Sequence, residues 1–197
     1  MTLVAPSFAA DAGLRLAGRS VREFGAAGDG VKLDTRALQA AIDACAHAGG
    51  GTVCFPAGRY LTGSLLLKSR VTLHLEAGAN LLGSTKLDDY TVRIPATRSF
   101  TDNYTERALI YGDNLESVAI EGRGVIDGQG AAFKGEHKAR PFLLRLVACR
   151  EVAVRGVTLK DSAMWVQHYL ACDGVLIDAI RVTSACNNNN DGIDIDG

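Results

Sequence analysis

The sequence predicts an all-β fold of the parallel β-helix type, with a single α-helix near its N-terminal end. The main observation is a repeat: ACREVAVRGVTLKDS begins at Ala148 and ACDGVLIDAIRVTS begins at Ala171, an offset of 23 residues. Under this offset Cys149 falls on Cys172, and each apolar position falls on another apolar position. A repeat of this length indicates a solenoid in which each copy forms one coil and equivalent side chains stack.

The pattern within each copy favours strands over helices. A short alternating segment is followed by a bend of one or two residues and a second β-branched segment, which is typical of strand, corner and strand. Looser copies begin at Asn114 and Arg70. The copies lack both the apolar spacing of a helical repeat and the L-x-x-L-x-L-x-x-N pattern of leucine-rich repeats. The remaining architecture is a stack of coils around a column of Val, Ile, Leu and Cys side chains.

Residues 34–48 are predicted to form an amphipathic helix. Asp34 is placed to cap the start of this helix, and glycines follow its end. Its apolar stripe consists of Leu38, Ala41, Ile42 and Cys45. We expect the helix to cover the open end of the solenoid, with residues 1–20 as an N-terminal extension and residues 52–197 as the coils of one domain.

Two further segments are assigned to connections. GAAGDG at residues 25–30 matches neither the P-loop nor the dinucleotide-binding motif, so we interpret it as a tight turn in which glycines permit positive φ. The polar segment 85–107 is expected to be a long excursion from a coil, of the kind that walls a groove.

The composition narrows the classes of partner. With 21 basic and 22 acidic residues the net charge is -1, so neither nucleic acid nor a membrane is expected as a partner. The five cysteines lack the spacing of metal ligands, and we expect them to be buried thiols rather than a disulfide framework. No cofactor is expected, and the chain is expected to be a monomer.

The first ten residues do not resemble a secretory signal. They lack a basic region, and their apolar run is broken by Pro6 and Ser7. The expectation is therefore a cytoplasmic location for the chain as it stands, or a periplasmic or secreted one if the natural N-terminus lies upstream.

The segment NNNNDGIDIDG from Asn187 is the most unusual stretch of the sequence. Asp191, Asp194 and Asp196 lie within six positions. On a strand, Asp194 and Asp196 would share one face and Asp191 would point to the other, so the three could not serve one site. The asparagines fit either a polar stack at a coil corner or a functional site. Their spacing does not fit a calcium loop, and no metal site is predicted.

N-N-D-G-I-D at residues 189–194 resembles the N-T-D-G-[IF]-D motif of glycoside hydrolase family 28, the polygalacturonases and their relatives. Asn190 stands where Thr is usual. The segment from Val21 to Ser84, GRGVIDGQG at Gly122 and VTLKDSAMWVQH at Val157 are similar to family segments in the same order. The resemblance implies a right-handed single-stranded parallel β-helix of the pectin-lyase type. It also implies inverting hydrolysis of α-1,4-linked galacturonic acid.

Carried over by position, the resemblance implies that Asp191 is a catalytic carboxylate that activates the attacking water. Asn189, Asp194 and His168 would bind or support the substrate, a polysaccharide or oligogalacturonide, and Trp165 would belong to the core or the groove wall. In the family the general acid and the substrate clamp lie on later coils. We therefore expect the chain to be truncated at its C-terminal end and inactive alone. A non-catalytic polysaccharide-binding or adhesion module and a calcium-dependent pectate lyase are the alternatives.

Overall fold

The computed structural model describes residues 18–99 and 104–197, which form seventeen strands, one α-helix and four short 3-10 helices. The strands are β1 (Arg19–Ser20), β2 (Asp29–Leu33), β3 (Gly51–Phe55), β4 (Gly58–Thr62), β5 (Leu65–Leu66), β6 (Val71–Leu75), β7 (Ala79–Gly83), β8 (Ala108–Asp113), β9 (Glu116–Gly122), β10 (Val125–Asp127), β11 (Phe142–Val147), β12 (Arg150–Arg155), β13 (Thr158–Lys160), β14 (Gln167–Leu170), β15 (Asp173–Asp178), β16 (Arg181–Thr183) and β17 (Asp194–Asp196). The helix α1 spans Thr35–His47, and the 3-10 helices are Val21–Phe24, Leu87–Asp89, Gly130–Ala132 and His137–Ala139.

The strands form three parallel sheets that enclose one core. Sheet A has the order β1-β3-β6-β9-β12-β15, sheet B the order β2-β4-β7-β10-β13-β16, and sheet C the order β5-β8-β11-β14-β17. From β6 onward, consecutive strands belong to sheets A, B and C in turn, so each coil supplies one strand to each sheet. The predicted parallel β-helix is confirmed.

The repeat of 23 residues corresponds to the stacking of β12 on β15. Val152 pairs with Val175 in this register, and β9 stacks on β12 in the same way. Cys149 stacks on Cys172 in the next coil, and the Sγ atoms donate to backbone carbonyls, that of Cys149 to Val147 O at 3.3 Å and that of Cys172 to Leu146 O at 3.4 Å. The backbone N–H of Asp173 donates to the carbonyl of Cys149 at 2.9 Å. Stacking of like apolar side chains buries a continuous column, and each Å² of apolar surface removed from water contributes about 25 cal/mol.

The helix α1 packs against strands β1, β3, β5 and β6 at the N-terminal end of the core, and its four predicted apolar residues are buried. Asp34 precedes the helix as predicted, but its carboxylate does not cap it. Instead it accepts hydrogen bonds from the backbone N–H groups of Ala27 at 2.8 Å and Gly28 at 2.9 Å. This corrects the predicted cap. The N–H groups of the turn need an acceptor, and the carboxylate satisfies two of them at once.

The same bonds support the interpretation of GAAGDG as a turn. Gly28 has φ of +61°, and a Cβ there would lie 2.8 Å from the Tyr60 ring. Two strands precede α1 and belong to the sheets, since β1 pairs with β3 and β2 pairs with β4. The sheets therefore begin ahead of residue 52, where the first coil was expected. Residues 1–17 of the expected N-terminal extension lie outside the described part of the chain.

The polar segment between β7 and β8 leaves the stack as predicted, although its residues 100–103 lie outside the described part. Its Tyr104 packs into a second apolar cluster, outside the main core. This cluster covers the outer face of sheet C and is built from Ala108, Tyr111, Phe142, Val147, Met164, Trp165 and Leu170. Through Tyr104 the excursion therefore contacts the outer face of sheet C. Among the described residues, no helix is long and apolar enough to span a membrane.

Candidate active site

The candidate site lies at the corner between β16 and β17, beside the outer face of sheet C. Asparagine amides hold this corner onto the preceding coils. Asn187 Nδ2 donates to the carbonyl of Gly130 at 2.7 Å. Asn190 Nδ2 donates to the carbonyls of Ser162 at 2.9 Å and Met164 at 3.0 Å. The amide at position 190, where the family usually has Thr, thus donates to two backbone carbonyls, of which that of Ser162 also accepts from Cys186 Sγ at 3.3 Å.

Asn188 and Asn189 have different roles at this corner. Arg140, which is 2% exposed, donates from Nη1 to both the backbone O of Asn188 at 3.0 Å and its Oδ1 at 2.7 Å. Asn189 adopts a left-handed backbone conformation with φ of +53°, which asparagine tolerates better than most residues. Its side-chain amide forms no hydrogen bond to any described residue, so it is available to a ligand.

Asp191 is exposed and lies in the connection before β17. Its backbone carbonyl accepts a hydrogen bond from Val166 N at 2.8 Å, which ties it to the start of β14. β17 begins only at Asp194, so Asp191 is not part of the strand. The alternation that was expected to separate Asp191 from Asp194 therefore does not apply, and the charge of Asp191 acts on Asp194. This corrects the expectation that strand alternation turns Asp191 away from Asp194.

Asp194 is a partly buried carboxyl group at the corner. It pairs in register with His168 of β14, and its Oδ2 is buried without a hydrogen-bond partner among the described residues. Burial, assisted by the nearby charges of Asp191 and Asp196, raises the pKa of Asp194 to about 6. Asp194 therefore keeps its proton in mildly acidic solution, where an ordinary aspartate is ionised.

His168 is fully buried. Its Nε2 lies 3.0 Å from Asp196 Oδ2, and its ring packs 5.5 Å from the ring of Phe142 and 5.1 Å from that of Trp165. A side chain with no exposed surface cannot contact a ligand directly. The expected substrate contact of His168 is therefore corrected: in this structure it positions Asp196.

The sequence interpretation missed Asp196 as the partner of His168. The offset of 23 residues would place His168 beneath Asp191, but the register places it beneath Asp194, an offset of 26 residues. The last coil is longer because the asparagine corner is inserted between β16 and β17. The alternation of Asp194 and Asp196 was the available signal, since it already placed both on one face of a strand.

Comparisons with known proteins agree with this geometry. The family model for rhamnogalacturonase A/epimerase, pectate lyase-like proteins matches residues 18–195. A probable polygalacturonase from Vitis vinifera is 34% identical over 194 residues, which cover 90% of this chain and 39% of that protein. The structure of the family 28 exopolygalacturonase from Yersinia enterocolitica superposes with a TM-score of 0.79 at 27% identity, covering 90% of this chain and 41% of that one.

A relative of another kind is the plasmin and fibronectin-binding protein A of Streptococcus pneumoniae, which is 34% identical over 152 residues, covering 73% of this chain and 21% of that protein. The chain thus spans only part of the length of these relatives, 39% of the Vitis vinifera protein and 21% of the pneumococcal protein. The right-handed form of the β-helix is confirmed by the exopolygalacturonase structures. Because the family model covers nearly all of the described residues, the chain belongs to the rhamnogalacturonase A/epimerase, pectate lyase-like family, and its resemblance to glycoside hydrolase family 28 is confirmed.

Proposed function

We propose that the protein containing this chain hydrolyses α-1,4-linked galacturonic acid in pectic polysaccharides with inversion of configuration. The observation that carries the proposal is that one corner holds two carboxyl groups in different environments. Asp191 is exposed, whereas Asp194 is partly buried and has a pKa raised to about 6. Carboxyl groups whose environments differ in this way are typical of sites for acid and base chemistry.

In this proposal Asp191 is the carboxylate that deprotonates the attacking water. A protonated Asp194 adds no second negative charge beside Asp191, which limits repulsion of a substrate that itself carries carboxylates. The amide of Asn189 contacts a substrate hydroxyl, and His168 acts through Asp196 by fixing its orientation. Each of these residues binds or orients, and Asp191 alone accepts a proton.

Inversion also requires a general acid, placed about 6.5–9.5 Å from the base so that a water fits between them. The resemblance to family 28 assigns that acid and the clamp for the substrate carboxylate to coils that follow the motif. We therefore propose that residues 1–197 alone release no measurable product, because they would lack both the general acid, which contributes about 10²–10⁴ in rate, and the clamp that holds the substrate carboxylate.

The test is an assay of reducing ends released from polygalacturonate by this chain joined to its natural continuation. We expect activity, and a loss of about 10²–10⁴ in kcat for Asp191→Asn. Asp178→Asn, an exposed carboxylate on β15, is the matched control and should leave activity unchanged. Proton NMR of the first product should show the inverted anomer. Full activity of the Asp191→Asn variant would refute the proposed role.

A second candidate function is a non-catalytic binding or adhesion module. The similarity to the pneumococcal binding protein favours it. Binding of oligogalacturonate by the extended protein without any release of reducing ends would support this candidate over the hydrolase. A pectate lyase would be recognised by unsaturated products whose formation depends on added calcium.

A further inference from the structure

The connection between β10 and β11, residues 128–141, reaches past the next coil to the asparagine corner. The carbonyl of Gly130 near its start accepts a hydrogen bond from Asn187 Nδ2 at 2.7 Å. Near its end, Arg140 Nη1 donates to the backbone O of Asn188 at 3.0 Å and to its Oδ1 at 2.7 Å. These partners lie 57 and 48 positions apart in the sequence. The 128–141 connection therefore holds a corner that lies two coils further along the solenoid.

The coil in between is thin enough at this point to allow the contact. A Cβ at Gly130 would collide with the carbonyl of Ser162 and lie 2.5 Å from Ala163 N. The 128–141 connection thus lies directly on the short link between β13 and β14, and Asn190 binds that same link from the other side through the carbonyl of Ser162. The connection, the link and the corner form three successive layers.

Arg140 is not explained by a contribution to stability. Its side chain is buried, and burial lowers the pKa of the guanidinium. Nε and Nη2 are buried without a hydrogen-bond partner among the described residues, so only Nη1 is paired. Removal of a charge from water is costly unless a counter-charge and hydrogen bonds compensate it. Asn188 is exposed, so water could satisfy its acceptors in the absence of Arg140. The two bonds fix the position of Asn188 more than they stabilise the fold.

The position of Asn188 bears on Asp191, which follows three residues later. Asn189 between them has a left-handed backbone, and Asn190 is held through its side-chain amide. The carbonyl of Asp191 accepts from Val166 N at 2.8 Å. The corner is therefore anchored on both sides of the left-handed residue. A displacement of about 1 Å at a reacting group can lower the rate about hundredfold, so the anchor ahead of Asp191 matters for catalysis.

We propose that Arg140 is a positioning residue for Asp191. It holds Asn188, and through the corner it sets the place of the Asp191 carboxylate, without contacting the substrate itself. The proposal rests on the proposed function, in which Asp191 is the base. It requires that the loss of Arg140 lowers kcat while KM and the stability of the fold are retained.

Kinetic assays on polygalacturonate with the chain joined to its natural continuation test this requirement. Arg140→Met should lower kcat about 10–100-fold at unchanged KM and should not lower the melting temperature. Asn188→Ala removes one of the two acceptors at an exposed side chain, so it should fold and lower kcat by a smaller factor. Arg155→Met, at an exposed arginine on β12, is the matched control and should behave as wild type.

Hydrogen exchange in the 197-residue chain tests the same anchor without turnover. The amide of Val166 reports on the corner, because it donates to the carbonyl of Asp191. Arg140→Met should speed its exchange by about tenfold or more, as the loss of hydrogen bonds from a charged donor allows the corner to open. The amide of Gly156, which donates to Asp178 O in sheet A at 3.0 Å, should exchange at the wild-type rate.

Wild-type kcat and wild-type exchange of Val166 in Arg140→Met would overturn the proposal. A raised KM at unchanged kcat would overturn it too, as would a loss of activity that only follows a loss of stability. The outcomes also separate the positioning role from the hydrolase. If the extended protein cleaves polygalacturonate and both variants act as wild type, only the positioning role fails. If no cleavage occurs but exchange of Val166 speeds up, the hydrolase fails and the anchoring of the corner by Arg140 stands.

Discussion

Replacing Asp194 by Asn should stabilise the protein at neutral pH and have little effect in acid. The folded pKa of Asp194, about 6, is raised above the ordinary value of 3.8, so the ionised form is disfavoured in the fold. One pKa unit corresponds to about 1.36 kcal/mol, which sets a ceiling of about 3 kcal/mol on the cost of ionisation. Because Asp194 is only partly buried, solvent screening reduces this to about 1–2 kcal/mol.

The direction in which stability changes with pH follows from proton binding. Between the two pKa values the folded state binds more protons than the unfolded state, so stability falls as the pH rises from about 4 to about 6. Asp194→Asn removes this cost. Urea unfolding across that range should show the variant gaining about 1–2 kcal/mol relative to wild type and then reaching a plateau. Asp178→Asn is the control and should follow the wild-type curve. A difference between Asp194→Asn and wild type that did not change with pH would refute the reasoning.

Three further substitutions test the packing that supports the site. Leu38→Ala should lower the free energy of unfolding by about 3 kcal/mol, because it leaves a cavity between α1 and the sheets, as urea unfolding would measure. Asn190→Ala should cost about 1–3 kcal/mol, because it leaves the carbonyl of Met164 without a donor and that of Ser162 with only Cys186 Sγ, and hydrogen exchange should show local opening of the corner. Gly130→Ala should lower the melting temperature because its Cβ would collide with the backbone of Ser162, whereas Gly192→Ala, with space around it, should not.

The stacked core could be predicted because its signal repeats. Val152 and Val175 occupy equivalent places in two copies, and each coil contacts mainly its neighbours, so a local pattern fixes a local contact. The apolar stripe of α1 was equally predictable, since Leu38 and Ile42 lie on one face of a helix.

The details of the site depended on contacts that are distant in sequence. Asp34 binds the turn ahead of it rather than the helix because that turn holds unpaired N–H groups. His168 is buried because Trp165 and Phe142 pack around it on the outer face of sheet C. The periodicity of apolar residues in the sequence does not predict that second cluster. The final coil is longer than the repeat predicts, so His168 pairs in register with Asp194 and not with Asp191. The length of the asparagine corner, which the repeat does not determine, sets this register.

The most direct test is an NMR titration of the 15N-labelled chain with oligogalacturonate. If the corner and the outer face of sheet C form the binding groove, the largest shift changes should fall on the backbone amides of residues 189–196 and on the indole N–H of Trp165. The amides of β15 in sheet A should hardly move. Shift changes confined to sheet A, or none at saturating ligand, would contradict the assignment of this face to polysaccharide binding.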